Sequence, residues 1–324
     1  MSFTLSLSKF LQARLNVLIF RFLPFHTSRL YLLFLGKIYY NLKKKEKSHI
    51  KNTLTYVYKD SRTPEELNRI IRETFRGIIA HYHEKLFIAY NYLPNTLKFL
   101  RKSVNLTGEE DFKAALDKGK GVILVTAHYG AVEALPGALA VRGYPVTMIL
   151  RFQTQRLKES LNRRAEPLGL ELMDLDEGNV FMQAVNALKK GRILITECDE
   201  FDSWRTSKNN PVSFLGKEFD GDRTLEILRK RSGSAVATAL MHREGQKKFT
   251  MNLKTLITEE DDNRSVSQAA LSVLDEAIHK TPYQWYQWAD FGEKLEAEEE
   301  RKKKIENEKE KGFSQTIEEN TVSL

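Results

Sequence analysis

His128 and Glu133 are the residues whose types and spacing best suit chemistry. An apolar, β-branched run, Val122–Ala127, ends at His128, a glycine follows at position 130, and Glu133 opens an Ala/Leu-rich stretch. On one continuous helix, residues five apart point about 140° away from each other. Gly130, however, predicts a turn between a strand and a helix, across which the two side chains can face each other. A carboxylate beside an imidazole fixes its tautomer and stabilises the imidazolium, so the pair predicts a general base that deprotonates a hydroxyl for attack on an acyl carbonyl.

The same two residues also fit structural roles. A histidine at a strand end often only makes structural hydrogen bonds, and a glutamate in a first helical turn often only compensates the helix dipole. The elements around His128 and Glu133 therefore help to decide between the catalytic and the structural roles.

Strands and helices alternate from about residue 104. A helix opened by Thr107 or Gly108 is followed by strand 122–127, helix 133–142, strand 145–150, helix 155–168, strand 170–174, helix 178–190 and strand 192–197. This order predicts an α/β fold with a mixed, largely parallel sheet flanked by helices, over residues 104–292. His128, Arg151 and Asp199 fall at or just after strand ends, where such folds bind ligands, so we expect them to converge.

Residues 1–103 are predicted to form a helical region. Leu, Phe, Ile and Tyr dominate its first part, and residues 1–50 carry nine basic side chains but only one acidic side chain, Glu46. Pro24 is expected to separate two helices, and basic residues keep every apolar run below the roughly 18 residues of a spanning helix. Such helices are typical of the membrane interface, where anionic lipids attract them. The alternative is an ordinary helical subdomain that packs on the rest of the chain.

A further helix is predicted over residues 64–93, with a capped start at Thr63. It carries His81 and His83, which would point to nearly opposite sides of the helix and so cannot share a metal ion. Both histidines are therefore expected to lie on a polar surface.

Composition limits the class of protein further. The net charge of +8 over 324 residues suggests an anionic partner, but the basic residues are interleaved with aliphatic ones, which argues against nucleic acid. The single cysteine, Cys198, excludes an internal disulfide and favours a reducing compartment. We expect Cys198 to be a buried small residue and not a nucleophile. No secretory signal is predicted. Residues 293–324 are predicted to be a charged tail, dense in Glu and Lys from Lys294 to Lys311, that forms a solvated helix followed by a disordered end.

Several segments, in the same order, resemble the lipid A biosynthesis acyltransferases, the late lauroyl/myristoyl acyltransferases of the lysophospholipid acyltransferase superfamily. The segments are Lys118-Gly119-Lys120-Gly121, His128 to Glu133, Ile149-Leu150-Arg151, Arg163 and Arg164 before Gly169, Glu197-Cys198-Asp199-Glu200, Pro211 to Gly216, and Pro282 to Trp288. The resemblance covers roughly residues 18–292. The chain departs from the family's usual residues at Ala131-Val132, Leu150, Cys198 and Asp220 to Arg223. These departures predict an altered acceptor pocket.

The resemblance implies a glycerolipid acyltransferase-like fold and direct acyl transfer without a cofactor or metal. His128 would be the base and Glu133 would hold its imidazole. Gly130 and the following helix start would offer N–H groups to the oxyanion. Arg151, and Arg163 or Arg164, would bind a phosphate, and Asp199 would organise the site. The donor would be an acyl carrier protein or acyl-CoA, the acceptor a glycolipid or lysolipid, and the location the cytoplasmic face of a bacterial inner membrane.

Two other functions fit the same residues. A thioesterase or hydrolase would use His128 and Glu133 on water, without the acceptor that a transferase needs for rapid thiol release. A non-catalytic lipid-surface binding protein would have no need of a base and its orienting carboxylate.

Overall fold

The structure is a computed structural model that describes residues 13–258, 265–301 and 303–304. Most of the predicted charged tail lies outside the described residues. Residues 288–301 form one helix, so the predicted boundary between residues 292 and 293 falls inside a helix.

The helices alternate with strands over the second half of the chain, as predicted. In chain order the helices are α1 (Arg14–Phe22), α2 (Phe25–Leu42), α3 (Lys44–Tyr58), α4 (Pro64–Tyr90), α5 (Leu93–Ser103), α6 (Glu109–Leu116), α7 (Leu135–Ala140), α8 (Gln155–Ala165), α9 (Val180–Lys189), α10 (Thr224–Ser232), α11 (Val266–Lys280) and α12 (residues 288–301). Short 3₁₀ turns occur at Val132–Ala134, Glu166–Leu168, Phe201–Ser203 and Pro282–Gln284.

In chain order the strands of the described residues are β1 (Val104–Thr107), β2 (Val122–Thr126), β3 (Val146–Leu150), β4 (Glu171–Asp174), β5 (Ile193–Glu197), β6 (Thr206–Phe214), β7 (Lys217–Asp222), β8 (Ala235–Arg243) and β9 (Phe249–Ile257). Seven of them form the main sheet, in the order β1-β9-β8-β2-β5-β3-β4. Among the described strands of this sheet, the β8–β9 pairing alone is antiparallel, so the predicted mixed, largely parallel α/β fold is confirmed. Strands β6 and β7 form a separate hairpin.

The central strand β2 is buried on both faces. Ile123 and Val125 pack into one hydrophobic cluster and Val122 and Leu124 into another, on opposite sides of the sheet. Continuous burial explains why β2 reads as an uninterrupted apolar run, and it fixes the end of the strand, and therefore His128, in a rigid frame.

The N-terminal helices pack against this α/β core. Helices α1 and α2 are separated at Pro24, as expected. Helix α4 begins with a capping box in which the Thr63 hydroxyl accepts from the Glu66 N–H and the Glu66 carboxylate accepts from the Thr63 N–H. None of the helices in the described ranges is long and apolar enough to cross a membrane.

The expected polar surface for His81 and His83 is wrong. Both imidazoles are buried, at 3% and 1% exposed respectively. His83 lies 2.8 Å from the Ser28 hydroxyl of α2, and the His81 ring stacks on Tyr286 at a centroid distance of 3.7 Å. The error arose because α4 is covered on two sides, by N-terminal helices and by the segment after α11, and neither neighbour is visible in the local sequence.

Candidate active site

The convergence of strand ends that the sequence predicts takes place at the carboxyl edge of the parallel strands. His128 follows β2, and Asp199 follows β5, the neighbour of β2 in the sheet. Parallel pairing aligns the two strand ends, and the Cys198 N–H donates to the Thr126 carbonyl at 2.9 Å, which continues the ladder beyond β5. Asp199 is thereby placed beside His128.

Asp199 binds the imidazole of His128. Its Oδ1 lies 3.0 Å from His128 Nδ1, and its Oδ2 accepts from the backbone N–H of His128 at 2.9 Å. Trp285 donates its indole N–H to the same Oδ2 at 2.7 Å. Asp199 is 0% exposed, so all of these bonds are shielded from water. A fully buried carboxylate on Nδ1 leaves Nε2 as the nitrogen that exchanges a proton with substrate.

The segment after α11 supports the same histidine from the other side. The Tyr286 N–H donates to the His128 carbonyl at 3.2 Å, and the two rings meet edge to face at 5.1 Å. The Gln287 side-chain amide lies 3.3 Å from Nδ1. The imidazole is therefore positioned by groups from β2, the loop after β5 and this segment.

Two further carboxylates face Nε2 of His128. Glu200 Oε1 lies 3.2 Å and Glu197 Oε2 3.6 Å from this nitrogen. Burial lowers the pKa of His128, but Glu197, Asp199 and Glu200 raise it by more, to about 10. Burial raises the pKa of Glu197 to about 7, against the opposing effect of His128. The cluster therefore retains a proton at neutral pH, and the imidazole must lose it before acting as a base.

Glu133 does not contact the imidazole, contrary to the sequence expectation. Its Oε1 lies 3.1 Å from Lys85 Nζ and 3.6 Å from His81 Nε2, both on α4. The 3₁₀ turn Val132–Ala134 directs the side chain to that helix, while the loop after β5 delivers Asp199 to His128. A catalytic role for Glu133 stays a prediction, but the carboxylate that orients His128 is Asp199. The three hydrogen bonds of Asp199 described above all join it to protein groups, and a contact of Asp199 with substrate stays a prediction.

Gly130 has a structural reason to be glycine. Its φ is +60°, and a Cβ there would lie 1.8 Å from the Met241 carbonyl oxygen of β8. Its N–H donates to the Gln284 carbonyl at 2.8 Å, and the Ala131 N–H donates to Met241 at 3.0 Å. The expected use of the Gly130 N–H as an oxyanion donor is therefore wrong, because β8 and the Gln284 segment occupy this turn.

The predicted phosphate-binding arginines differ in their surroundings. Arg151 is 58% exposed and pairs with Asp176, which is 63% exposed, with Nε 3.3 Å from Oδ1, so the guanidinium remains accessible. Arg164 is partly buried and donates to the Asn91 carbonyl and to the Thr96 hydroxyl, which ties α8 to the start of α5. Both arginines line the cavity that His128 also lines. Their substrate role stays a prediction, and Arg163 is exposed.

A cavity of about 1020 Å³ opens beside His128. This volume is at the upper end of the roughly 300–1,000 Å³ range typical of small-molecule sites. The lining includes apolar side chains, among them Leu97, Leu100, Met148, Leu157, Leu161 and Leu172. It also includes polar side chains, among them His81, Lys85, His128, Glu133, Glu197, Glu200 and Tyr286. The cavity therefore has room for an aliphatic chain together with a polar head group.

Among the described residues, one group has metal-ligand geometry. The candidate ligand atoms of His128, Glu197 and Glu200 lie within 4.8 Å of one another. A cation bound by them would occupy Nε2, the atom that a general base needs free. Cys198 is buried, and burial raises the pKa of its thiol, so it is a poor nucleophile.

Sequence reasoning missed several residues of the site. Glu197 and Glu200 lie in a segment that carries the family resemblance, and the available signal was their position at the end of β5 and just after it. Trp285 and Tyr286 also lay in such a segment, but nothing in the sequence placed it against His128. His81 and Lys85 gave a weaker signal, an i, i+4 pair on one face of a helix.

Comparison with known proteins identifies the family of the chain. Residues 9–288, most of the 324-residue chain, match the family described as bacterial lipid A biosynthesis acyltransferase. No curated protein sequence matches the chain significantly. With the family match covering the N-terminal helices, the sheet and the segment around Trp285, this chain belongs to the bacterial lipid A biosynthesis acyltransferase family, whose members are enzymes that transfer acyl groups.

Proposed function

We propose that this acyltransferase moves a fatty acyl chain from the thioester of an acyl carrier protein or CoA to a hydroxyl of a membrane glycolipid or lysolipid similar to a lipid A precursor. The observation that carries the proposal is the buried Asp199 carboxylate on His128 Nδ1, beside a cavity that both apolar and polar side chains line. This arrangement suits a base next to a bound acyl chain and a polar acceptor.

In the proposed reaction, Nε2 of His128 takes the proton of the acceptor hydroxyl. The oxygen attacks the thioester carbonyl, and the tetrahedral intermediate collapses to the ester as the C–S bond breaks. The imidazolium, stabilised by Asp199, then returns the proton to the departing thiolate. The backbone N–H groups of Val132 and Glu133 are our candidates for the oxyanion donors, because the first amides of a helical turn lack partners within it.

Glu200 occupies the position from which an acceptor hydroxyl would approach Nε2. Its side chain is 41% exposed and lies 3.2 Å from that nitrogen. The acceptor therefore has to displace this carboxylate, which also removes one of the charges that raise the pKa of His128.

The activity is tested by following thiol release and lipid products from one reaction. With acyl carrier protein or CoA thioesters and lipids extracted from cells lacking the gene, we expect thiol release to depend on the lipid and each released thiol to match one new ester. A chelator should leave the rate unchanged. Thiol release at the same rate without lipid would instead identify a thioesterase.

The N-terminal helices carry an exposed apolar surface that suits a membrane. Leu15, Leu18 and Phe22 of α1 share one face, and Leu30, Phe34 and Ile38 of α2 share another; all are exposed. Exposed basic residues, Arg14, Arg21 and Lys37, stand among them. Because apolar insertion and attraction to anionic lipid act together on such helices, we propose peripheral binding at the cytoplasmic face of the inner membrane.

Vesicle flotation tests this surface. We expect binding that rises with the fraction of phosphatidylglycerol and survives moderate salt. Phe34→Glu should weaken partitioning at least tenfold, since inserting one large apolar side chain contributes about 1.5–3 kcal/mol. Met182→Glu, which changes an exposed apolar residue of α9, is the matched control and should bind normally. If both variants bind vesicles equally well, the N-terminal helices are not the surface that binds the membrane.

A further inference from the structure

Glu133 belongs to a polar cluster beside the catalytic histidine. The cluster comprises His81 and Lys85 of α4, Glu133, and Tyr286. Lys85 and His81 both approach the same oxygen, Oε1 of Glu133, at 3.1 and 3.6 Å. The Tyr286 ring stacks on His81 at 3.7 Å and meets the His128 ring edge to face at 5.1 Å. All four residues line the same cavity as His128, so the cluster is separated from the catalytic imidazole by a single ring.

The cluster has unused hydrogen-bonding capacity. Within the part of the chain that the structure describes, neither the Tyr286 hydroxyl nor Nδ1 of His81 has a hydrogen-bond partner, although both atoms are buried. His81 is only 3% exposed. Most buried polar groups in proteins are paired, and these two unpaired atoms belong to residues that line one cavity and touch each other. A ligand in the cavity could supply their partners after a small shift of the two side chains.

The charges of the cluster decide the class of ligand. Glu133 raises the pKa of Lys85 despite burial, while burial and the positive charges of Lys85 and His128 lower the pKa of His81 well below its usual value. The cluster thus holds one ammonium, one carboxylate and a neutral imidazole. A phosphate would meet the Glu133 carboxylate at close range. Hydroxyl groups both donate and accept, so they can pair with the carboxylate, the ammonium, the imidazole and the phenol together.

We propose that His81, Lys85, Glu133 and Tyr286 form an acceptor subsite that binds neighbouring hydroxyl groups of a sugar or polyol head group. This inference rests on the proposed function, because the subsite would hold the acceptor while one of its hydroxyls reaches Nε2 of His128. Glu133 then acts by fixing Lys85 and His81 and by accepting from the head group.

The test measures binding without catalysis. Decyl β-D-glucoside, below its micelle concentration and with no acyl donor present, is titrated into the full-length protein by calorimetry. Tyr286→Phe removes the hydroxyl but keeps the ring on His81 and His128, and it should weaken glucoside binding about three- to tenfold, the worth of one hydrogen bond. His81→Phe should weaken it similarly. Binding of decylphosphocholine, which has the same chain and no hydroxyl, should not change in either variant.

Tyr58→Phe is the matched control. The Tyr58 hydroxyl is also buried without a partner among the described residues, but its ring packs on Trp288, and it does not line the cavity. This variant should bind the glucoside as the unchanged protein does. Unchanged glucoside binding in Tyr286→Phe and His81→Phe, or an equal loss in Tyr58→Phe, overturns the subsite.

The experiments distinguish failure of the acceptor subsite from failure of the proposed transferase reaction. If glucoside binding depends on Tyr286 and His81 but no lipid accepts an acyl group, the subsite stands and the transferase reaction fails. If transfer to lipid occurs while neither variant changes glucoside binding or the Michaelis constant for the acceptor, the transferase reaction stands and the subsite is wrong.

Discussion

Replacement of His128 by alanine is expected to lower the rate of acyl transfer by about 10²–10⁴-fold, the usual loss when a general base is removed. The fold should survive, because Asp199 keeps two of its donors, the backbone N–H at position 128 and the Trp285 indole. Rates are compared at saturating donor and acceptor, and melting curves are recorded for both proteins. Near-normal transfer by a stably folded His128→Ala protein would exclude the proposed base.

The rate of the same reaction is expected to rise with pH. Since the carboxylates raise the pKa of His128 to about 10, the imidazole is protonated and inactive as a base below that pH. We therefore expect kcat/KM to rise between pH 7 and 10. Glu200→Gln removes a carboxylate 3.2 Å from Nε2, lowers the pKa of His128 and should move the rise to lower pH. Asp202→Asn, at an exposed position two residues further along the loop, is the control.

The fold was predictable from the sequence because its strongest signals are local. The apolar run of β2, the turn at Gly130 and the alternation that follows each report on a few neighbouring residues, and the structure confirms the order of elements they predict. Element ends were predicted less well. The expected helix 133–142 is a 3₁₀ turn followed by the short α7, because Pro136 at the start of α7 has no N–H to continue a helical hydrogen-bond ladder from the preceding turn.

The partners of His128 were harder to predict because they depend on sheet order. Glu133 is close in sequence, and Asp199 is 71 residues away. Only the placement of β5 next to β2 brings Asp199 to the imidazole. Local spacing showed that His128 and Glu133 stand at a strand end and a first turn, but it did not show which way the turn would send the glutamate.

The N-terminal region is also more closely connected to the site than its sequence suggested. Helix α4 lies within residues 1–103, predicted as a separate helical region, yet it supplies His81 and Lys85 to the cavity wall. A pattern of apolar residues at helical spacing predicts that a helix buries one face, but it does not reveal that the buried face includes polar groups directed at a neighbouring site.

A second large effect is expected for Asp199→Asn. An asparagine oxygen can still accept from the His128 backbone and Trp285, so the local structure should persist. The amide nitrogen would then face Nδ1 and impose the tautomer with its proton on Nε2, which cannot act as a base. The same substitution in a serine-protease triad lowers kcat by about 10⁴, and we expect a loss of about 10²–10⁴-fold here. Loss of one carboxylate should also lower the pKa of His128 and shift the remaining activity to lower pH.

Glu133→Gln is the comparison that separates the two carboxylates. If Asp199 orients the imidazole and Glu133 belongs to the acceptor subsite, Asp199→Asn lowers kcat with little change in the Michaelis constant for the acceptor. Glu133→Gln then raises that Michaelis constant more than it lowers kcat, because the interaction it removes is made by the bound acceptor before the chemical step. The reverse pattern, with kcat lost mainly in Glu133→Gln and retained in Asp199→Asn, would return the orienting role to Glu133 and require the turn at Val132–Ala134 to rearrange when substrate binds.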